Sequence, residues 1–386
     1  MKKSLLYVLV LVLSISMAAT FTLAGCEKAG GVAEEEEEVV VAEEEEEEVI
    51  VEETPYIAII SKGFQHQFWQ TVLAGAQDAA DEYEVEMTFD GPPSESDIAI
   101  QVDMINAALA KNPSALCLAV LDTESVTEQL NTAMDKGIPI IGFDSGVPNA
   151  PEGAIIATAS TNNEAAGALG ADGMFENATF KAALEAATVD NPVVIGCQSQ
   201  DATSASIVGR TVGFVDQMVA NCETLFPGQV EVTGHVKYAK AATSGETAVE
   251  IFVMVPPSTS EIDAQTGSQT LLAMDNLIAI FATNTASIYG ILASTTDGTD
   301  LDRADGKYKD ITVVGFDAGA ALKAAVKSGY IVGAITQDPY MIGYLAVELA
   351  VKALAGETID EFIDTGAKWY EASNMDEPDI AILLYD

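Results

Sequence analysis

Four segments of this chain end an apolar run on a single hydrogen-bonding side chain: GFDS at Asp144, FATN at Asn284, VGFDAG at Asp317 and AITQDP at Gln337. Carboxylates and amides suit a neutral polyhydroxy ligand, because one carboxylate can accept from two neighbouring hydroxyls. Any one of the four could instead cap the helix that follows it. Four together, converging on one cleft, favour a polar ligand. Arginine occurs only at 210 and 303. Arg210 is therefore a candidate fork of donors to that ligand, with a surface cation as the plainer alternative. His66 and His235 are the two histidines, too few for a histidine-rich metal site, and no phosphate-binding Walker loop is present. Neither a metal nor a cofactor is predicted. The segment DGTDLDRADGKYKD places Asp297, Asp300, Asp302 and Asp305 near Gly306. Its spacing misses that of a calcium loop and no glutamate closes it, so it reads as a solvated insertion.

The elements that would position these residues follow a regular rhythm. YIAII, VEMTFDG, ALCLAV and IPIIGFDS read as strands, separated by amphipathic stretches over roughly 67–83, 98–111 and 124–136. Near GAIIATAS the rhythm restarts. PVVIGCQSQ leads to a helix through Arg210 and VEVTGHVKY to another, before LIAIFATN, ITVVGFDAG and IVGAITQDP. Continuous apolar runs alternating with amphipathic helices predict parallel sheets covered on both faces. One sheet of this length would be unusually wide, so the fold expected is α/β with two doubly wound parallel-sheet lobes. In such sheets ligands bind beyond the carboxyl ends of the strands, where the four polar residues fall.

Composition narrows the partners. The chain carries a net charge of −43, which makes it a poor partner for nucleic acid. Lys2 and Lys3, the apolar run from Leu5 to Leu13 and the smaller residues up to Gly25 describe an export signal over 1–25. The apolar run is short of the roughly 20 residues a membrane span needs. Residues 34–53 hold 13 glutamates and no basic residue, so 26–54 is expected to be a solvated tether. Cys117 and Cys197 sit in apolar strand-like runs and, with Cys222, make no disulfide framework. A Cys197–Cys222 bridge is the less favoured alternative to buried thiols.

LAGC at 23–26 resembles the bacterial lipobox, which implies a lipid anchor on Cys26 and an extracytoplasmic position on the cell membrane. The rest of the chain resembles the type I periplasmic binding proteins, specifically the ribose-like sugar-binding proteins of ABC importers. The resemblance is carried by SKGFQHQFWQTVLAGAQDAA, GIPIIGFDSGV, GRTVGF, IFATN, VVGFDAG and GAITQDPYMIGYLAVELA, and it spans essentially all of 55–386. It implies three interlobe crossings, near Ser160–Asn163, Gln337–Pro339 and Ala367–Glu371. The lobes would then be 55–160 plus 338–368 and 161–337 plus 369–386, closing by a hinge on a monosaccharide.

The same resemblance implies polar contacts from Asp144, Arg210, Asn284, Asp317 and Gln337, and an aromatic wall at Phe68 with Gln67 and Trp69 beside it. It also places Tyr238 after a second-lobe strand where the family often has an aromatic. Two departures stand out. Ala119 and Ser145 occupy positions where ribose binders carry an asparagine and an arginine, and Ser145 stays among the expected ligand contacts. With Trp69 gained, they argue against ribose itself and leave another monosaccharide or a polyol such as a cyclitol. A monomer that hands its ligand to a permease and ATPase on separate chains is the implied partner scheme. A sensor presenting the ligand to a chemoreceptor or kinase is the alternative. A glycosidase is disfavoured because no nucleophile motif is visible, and an export signal stands where a sugar-responsive repressor would carry its DNA-binding domain.

Overall fold

The computed structural model describes residues 54–385. The export signal, Cys26 and the glutamate-rich run lie outside the described residues. The first lobe opens with β1 (Tyr56–Ile60), α1 (Gln67–Glu82), β2 (Glu86–Asp90) and α2 (Ile98–Ala110). It continues through β3 (Ala115–Leu118), α3 (Thr127–Lys136), β4 (Ile140–Phe143) and β5 (Ala157–Ser160). The chain then crosses into the second lobe with α4 (Asn163–Glu176), α5 (Ala178–Glu185), β6 (Val193–Gln198), α6 (Ala205–Glu223) and β7 (Val230–Gly234). Next come β8 (Val249–Met254), α7 (Glu261–Leu272), β9 (Leu277–Ala282), α8 (Thr285–Ser294), β10 (Thr312–Phe316), α9 (Ala320–Lys327) and β11 (Gly333–Gln337). It returns to the first lobe for α10 (Pro339–Leu354) and β12 (Phe362–Asp364), and ends in the second with β13 (Ala367–Tyr370) and α11 (Pro378–Ala381).

Two sheets result, in the orders β12-β5-β4-β3-β1-β2 and β13-β11-β10-β9-β6-β8-β7. Every pairing is parallel except that of β13 with β11. Strands β3, β4, β6, β9, β10 and β11 are buried along their whole length. That burial on both faces is why they read as unbroken apolar runs. One expectation fails here. No helix follows β7; the chain instead runs through 235–248 to β8, whose VEIFVM alternates buried and half-buried residues. Its IFVMV stretch is as unbroken an apolar run as those of the other strands, but it is a strand where the βα rhythm expects a helix.

The lobes are built alike. In each, the helix that follows an interlobe crossing packs on the helix that follows the lobe's first strand. These pairs are α10 on α1 and α4 on α6. Both pairs need bare backbone at their contact. A Cβ on Gly343 would lie 1.9 Å from Val72 O, and one on Gly213 would lie 1.9 Å from Glu164 O. These two close contacts fix the crossings to rigid layers.

The first two crossings leave β5 at Ser160 and β11 at Gln337. The third runs through Thr365 and Gly366, ahead of the expected 367–371, so residues 367 and 368 belong to the second lobe. Gly366 has φ +80°, a left-handed turn open to glycine. It lets Ala367 pair directly with Gln337. The first and third crossings are tied side by side, with Thr365 N–H donating to Ser160 O (3.0 Å) and Thr161 Oγ1 to Gly366 O (3.1 Å). Cys117, Cys197 and Cys222 are all buried free thiols, so the Cys197–Cys222 bridge is not formed.

Candidate functional site

A cavity of about 400 Å³ lies between the carboxyl edges of the two sheets. Two of its walls are the same five-residue idea used twice. GFDSG (142–146) carries the chain off the end of β4 and GFDAG (315–319) off the end of β10. The aspartate of each turns out of its strand through the left-handed region, at φ +53° for Asp144 and +75° for Asp317. Aspartate tolerates that conformation better than most side chains, and held strain of this kind gathers at functional sites. In each case the aspartate N–H donates to the neighbouring strand that ends at a crossing. Asp144 reaches Ala159 O (3.0 Å) and Asp317 reaches Ile335 O (2.7 Å).

The second-lobe wall is fully braced. Asp317 accepts from Thr285 N–H (2.9 Å), Thr285 Oγ1 (3.0 Å) and Gln337 Nε2 (2.6 Å). Arg210 comes off α6, buried, with Nη1 3.9 Å from the Asp317 carboxylate and its guanidinium 4.0 Å over the Phe316 ring. Its Nε donates to Asn163 Oδ1 (2.8 Å), Nη1 to Thr283 O (3.1 Å) and Nη2 to Gln337 Oε1 (2.9 Å). Asn163 follows the first crossing and Gln337 precedes the second, so Arg210 clamps the hinge as well as lining the cavity. Asn284 has two roles. Its Oδ1 accepts Ser287 N–H at the start of α8, and its Nδ2 donates to Gln200 Oε1.

The first-lobe wall depends on its partner lobe. Lys62, just beyond β1, places Nζ 3.0 Å from Asp144 Oδ2. It also donates across the cleft to Ser206 Oγ (3.1 Å) and Ser204 Oγ (3.4 Å). Burial would lower the Lys62 pKa, but Asp144 and Glu95 more than offset it and the ammonium is held above the ordinary lysine value. Burial raises Asp144 above the ordinary aspartate range, against the pull of Lys62 and Arg210. Glu95 accepts from Trp69 Nε1 (3.0 Å) and from Gln200 Nε2 of the second lobe (2.9 Å). Although burial pushes Glu95 up, the Lys62 charge and those two bonds hold it below the usual glutamate value. Phe68 and Trp69 meet edge to face at 5.0 Å and form the aromatic side of the cavity.

Seven of the ten expected ligand residues thus meet at one cavity: Phe68, Trp69, Asp144, Arg210, Asn284, Asp317 and Gln337. Three do not line it. Gln67 starts α1 with its side chain exposed, because the helix turns Phe68 and Trp69 inward. Tyr238 folds back into the second-lobe core. Ser145 is buried between the lobes, where its hydroxyl meets Ser204 Oγ (3.1 Å) and accepts Ser206 N–H (3.3 Å). Lys62, Glu95 and Gln200 were missed. Gln200 follows a strand end, in CQSQ, and the strand-end rule could have found it. His66 caps α1 through Nδ1 and stands exposed at the cavity mouth. Among the described residues no cluster of His, Cys, Asp and Glu is arranged to hold a metal, and the 297–310 loop spends Asp300 and Asp302 on its own turns.

Residues 57–358 match the family model described as a periplasmic binding protein domain. The chain belongs to the periplasmic binding protein family, and its two parallel-sheet lobes are of type I. It is 22% identical over 316 residues to the D-ribose/D-allose-binding protein of Pseudomonas aeruginosa, covering 79% of this chain and 84% of that one. A Brachyspira murdochii structure described as an ABC transporter, LacI family transcriptional regulator, is 38% identical with a TM-score of 0.71, over 86% of this chain and 99% of that one. An Agrobacterium vitis ABC transporter solute-binding protein with bound D-fucose is 28% identical with a TM-score of 0.68, over 86% of this chain and all of that one.

Proposed function

We propose that this protein captures a monosaccharide or related polyol in the interlobe cavity, closes on it by hinge rotation, and presents it to the membrane subunits of an ABC importer carried on other chains. The observation that carries the reading is the facing pair of strand-end aspartates, Asp144 and Asp317, set beside the Phe68–Trp69 wall. Carboxylates take vicinal hydroxyls and aromatic rings cover the C–H face of a sugar ring. Arg210, Asn284 and Gln337 complete the polar set, and Lys62, Glu95 and Gln200 extend it.

Closure is supported by the bonds already made between lobes, from Lys62 to Ser204 and Ser206 and from Gln200 to Glu95. A domain rotation of this kind is selected by whatever favours the closed state. The curated relative's name and the bound D-fucose of the Agrobacterium structure favour a sugar over other solutes. Glu95, Asp144 and Asp317 are each committed to a cation, an amide or a backbone N–H, which suits holding a ligand rather than proton transfer. We place the protein outside the cytoplasm as a monomer, anchored through lipid on Cys26 and held off the membrane by the glutamate-rich segment.

The test is a thermal-shift screen of the purified protein against pentoses, hexoses, cyclitols and non-sugar solutes. Ligand at 1,000 times its Kd stabilises the native state by about 4 kcal/mol, so one sugar or cyclitol should raise the Tm by several degrees. A shift from a non-sugar solute alone would overturn the sugar assignment. Incorporation of a labelled fatty acid in wild type and its loss in Cys26→Ala checks the anchor.

A further inference from the structure

The segment after β13 does something the cavity lining does not require. Ile380 and Met375 pack into the second-lobe core. Thr336 Oγ1 donates to Leu383 O (2.9 Å) and Lys323 Nζ to Leu384 O (3.3 Å), holding this stretch against the lobe beside the Gln337 crossing. Tyr385 then leaves that lobe. Its ring packs against the first-lobe core and meets Phe68, centroid to centroid 6.1 Å at 69°. Its hydroxyl accepts the N–H of Ala318 (3.3 Å), the residue after Asp317. A second phenol holds the same turn, with Tyr370 Oη donating to Asp317 O (2.9 Å).

A path of touching groups therefore runs from the Asp317 turn through Tyr385 to Phe68 and on to Trp69, bypassing all three crossing strands. We infer that Tyr385 is a positioning residue of the cavity, tying the aromatic wall of the first lobe to the Asp317 turn of the second and fixing their separation in the closed form. Tyr385 is not itself part of the cavity lining; it acts on the ligand through Phe68. Burial and the nearby Asp317 charge push its phenol well above the ordinary tyrosine value, which keeps the hydroxyl neutral. The inference rests on the binding function proposed above, and two of its three readouts need no ligand.

The test uses the full chain with Trp369→Phe, leaving Trp69 as the reporter, and compares Tyr385, Tyr385→Phe and Tyr385→Ala. Three quantities are read: Tm without ligand, acrylamide quenching of Trp69, and Kd for the sugar found in the screen. Tyr385→Ala should expose Trp69 to quencher and weaken the sugar about threefold to tenfold, the range of an aromatic pair. Tyr385→Phe keeps the ring against Phe68 but cuts the bond to Ala318, so it should keep Trp69 shielding while weakening the sugar by about threefold, the size of one hydrogen bond. Unchanged quenching and unchanged Kd in Tyr385→Ala, with or without a lower Tm, would overturn the inference. A Kd for Tyr385→Phe equal to that of wild type would also overturn it, because the tie to the Asp317 turn runs through the hydroxyl. If the parent binds no sugar, the sugar reading falls, and the quenching comparison alone decides for or against Tyr385.

Discussion

The two GFD turns have the same sequence form and backbone twist, and each is anchored to a strand that ends at a crossing, yet their aspartates are held differently. Asp317 draws its partners from its own lobe: Thr285, Gln337 and Arg210. Asp144 has Lys62, whose remaining bonds go to Ser204 and Ser206 across the cleft. The second lobe thus carries a finished half-site, whereas the first lobe's half is completed when the lobes meet. A clamshell built this way can offer a preorganised face to the ligand and reserve the rest of its interactions for closure.

The sharpest way to break that comparison is to remove each carboxylate in turn. Asp317→Ala strands a buried arginine and the Thr285 N–H, and should cost about 3–5 kcal/mol of ligand-free stability as well as binding. Asp144→Ala should abolish tight binding at a smaller stability cost, because Lys62 can reach water when the cleft opens. Thermal melts of the two ligand-free variants check this; equal losses would erase the distinction. Next in size are the helix contacts common to both lobes. Gly343→Ala and Gly213→Ala each drive a methyl into backbone and should lose about 1–3 kcal/mol apiece, measured by denaturant melts. Gln200→Ala removes a charge-assisted bridge that exists only between closed lobes. It should weaken the ligand roughly tenfold or more, with only about 1 kcal/mol lost from the ligand-free protein, where the bond from Asn284 goes with it.

The smallest effect expected is one of pH. The Asp144 pKa lies above 3.8 because of burial, so its charge is lost earlier on acidification than an ordinary aspartate's. A raised carboxylate pKa means the folded state pays for the charge above that pKa and is relieved of the cost below it. Affinity should therefore fall as pH drops toward and through the raised value, while this group's contribution to stability moves the other way. Kd and Tm followed from pH 7 to pH 4, in wild type and Asp144→Asn, separate the two signs.

Much of this was readable in the chain because parallel strands buried on both faces spell themselves as apolar runs. Their polar final residues gave Asp144, Asn284, Asp317 and Gln337. The strand β8 was not readable because no helix separates it from β7, so its short apolar IFVMV run falls where the rhythm calls for a helix, and such a run does not by itself tell strand from helix. Glu95 could not be picked out among 60 acidic residues, for its importance comes from the Trp69 and Gln200 donors that only the fold brings to it. Lys62 followed a strand as the aspartates do, but a lysine in so acidic a chain reads as solvent-facing until its carboxylate partners are placed. Tyr238 and Gln67 failed for the converse reason: a position near a strand or helix end does not say which way the side chain turns. Tyr385 carried no local signal, because its role depends on a contact with Phe68 more than three hundred residues away.

The most direct test of the account is calorimetric titration of wild type, Asp144→Ala and Asp317→Ala with the sugar or cyclitol that raises the Tm most. One-to-one binding by wild type, lost by both variants, is the predicted result. Full-affinity binding to both variants, or no binding of any sugar or polyol to wild type, would contradict it.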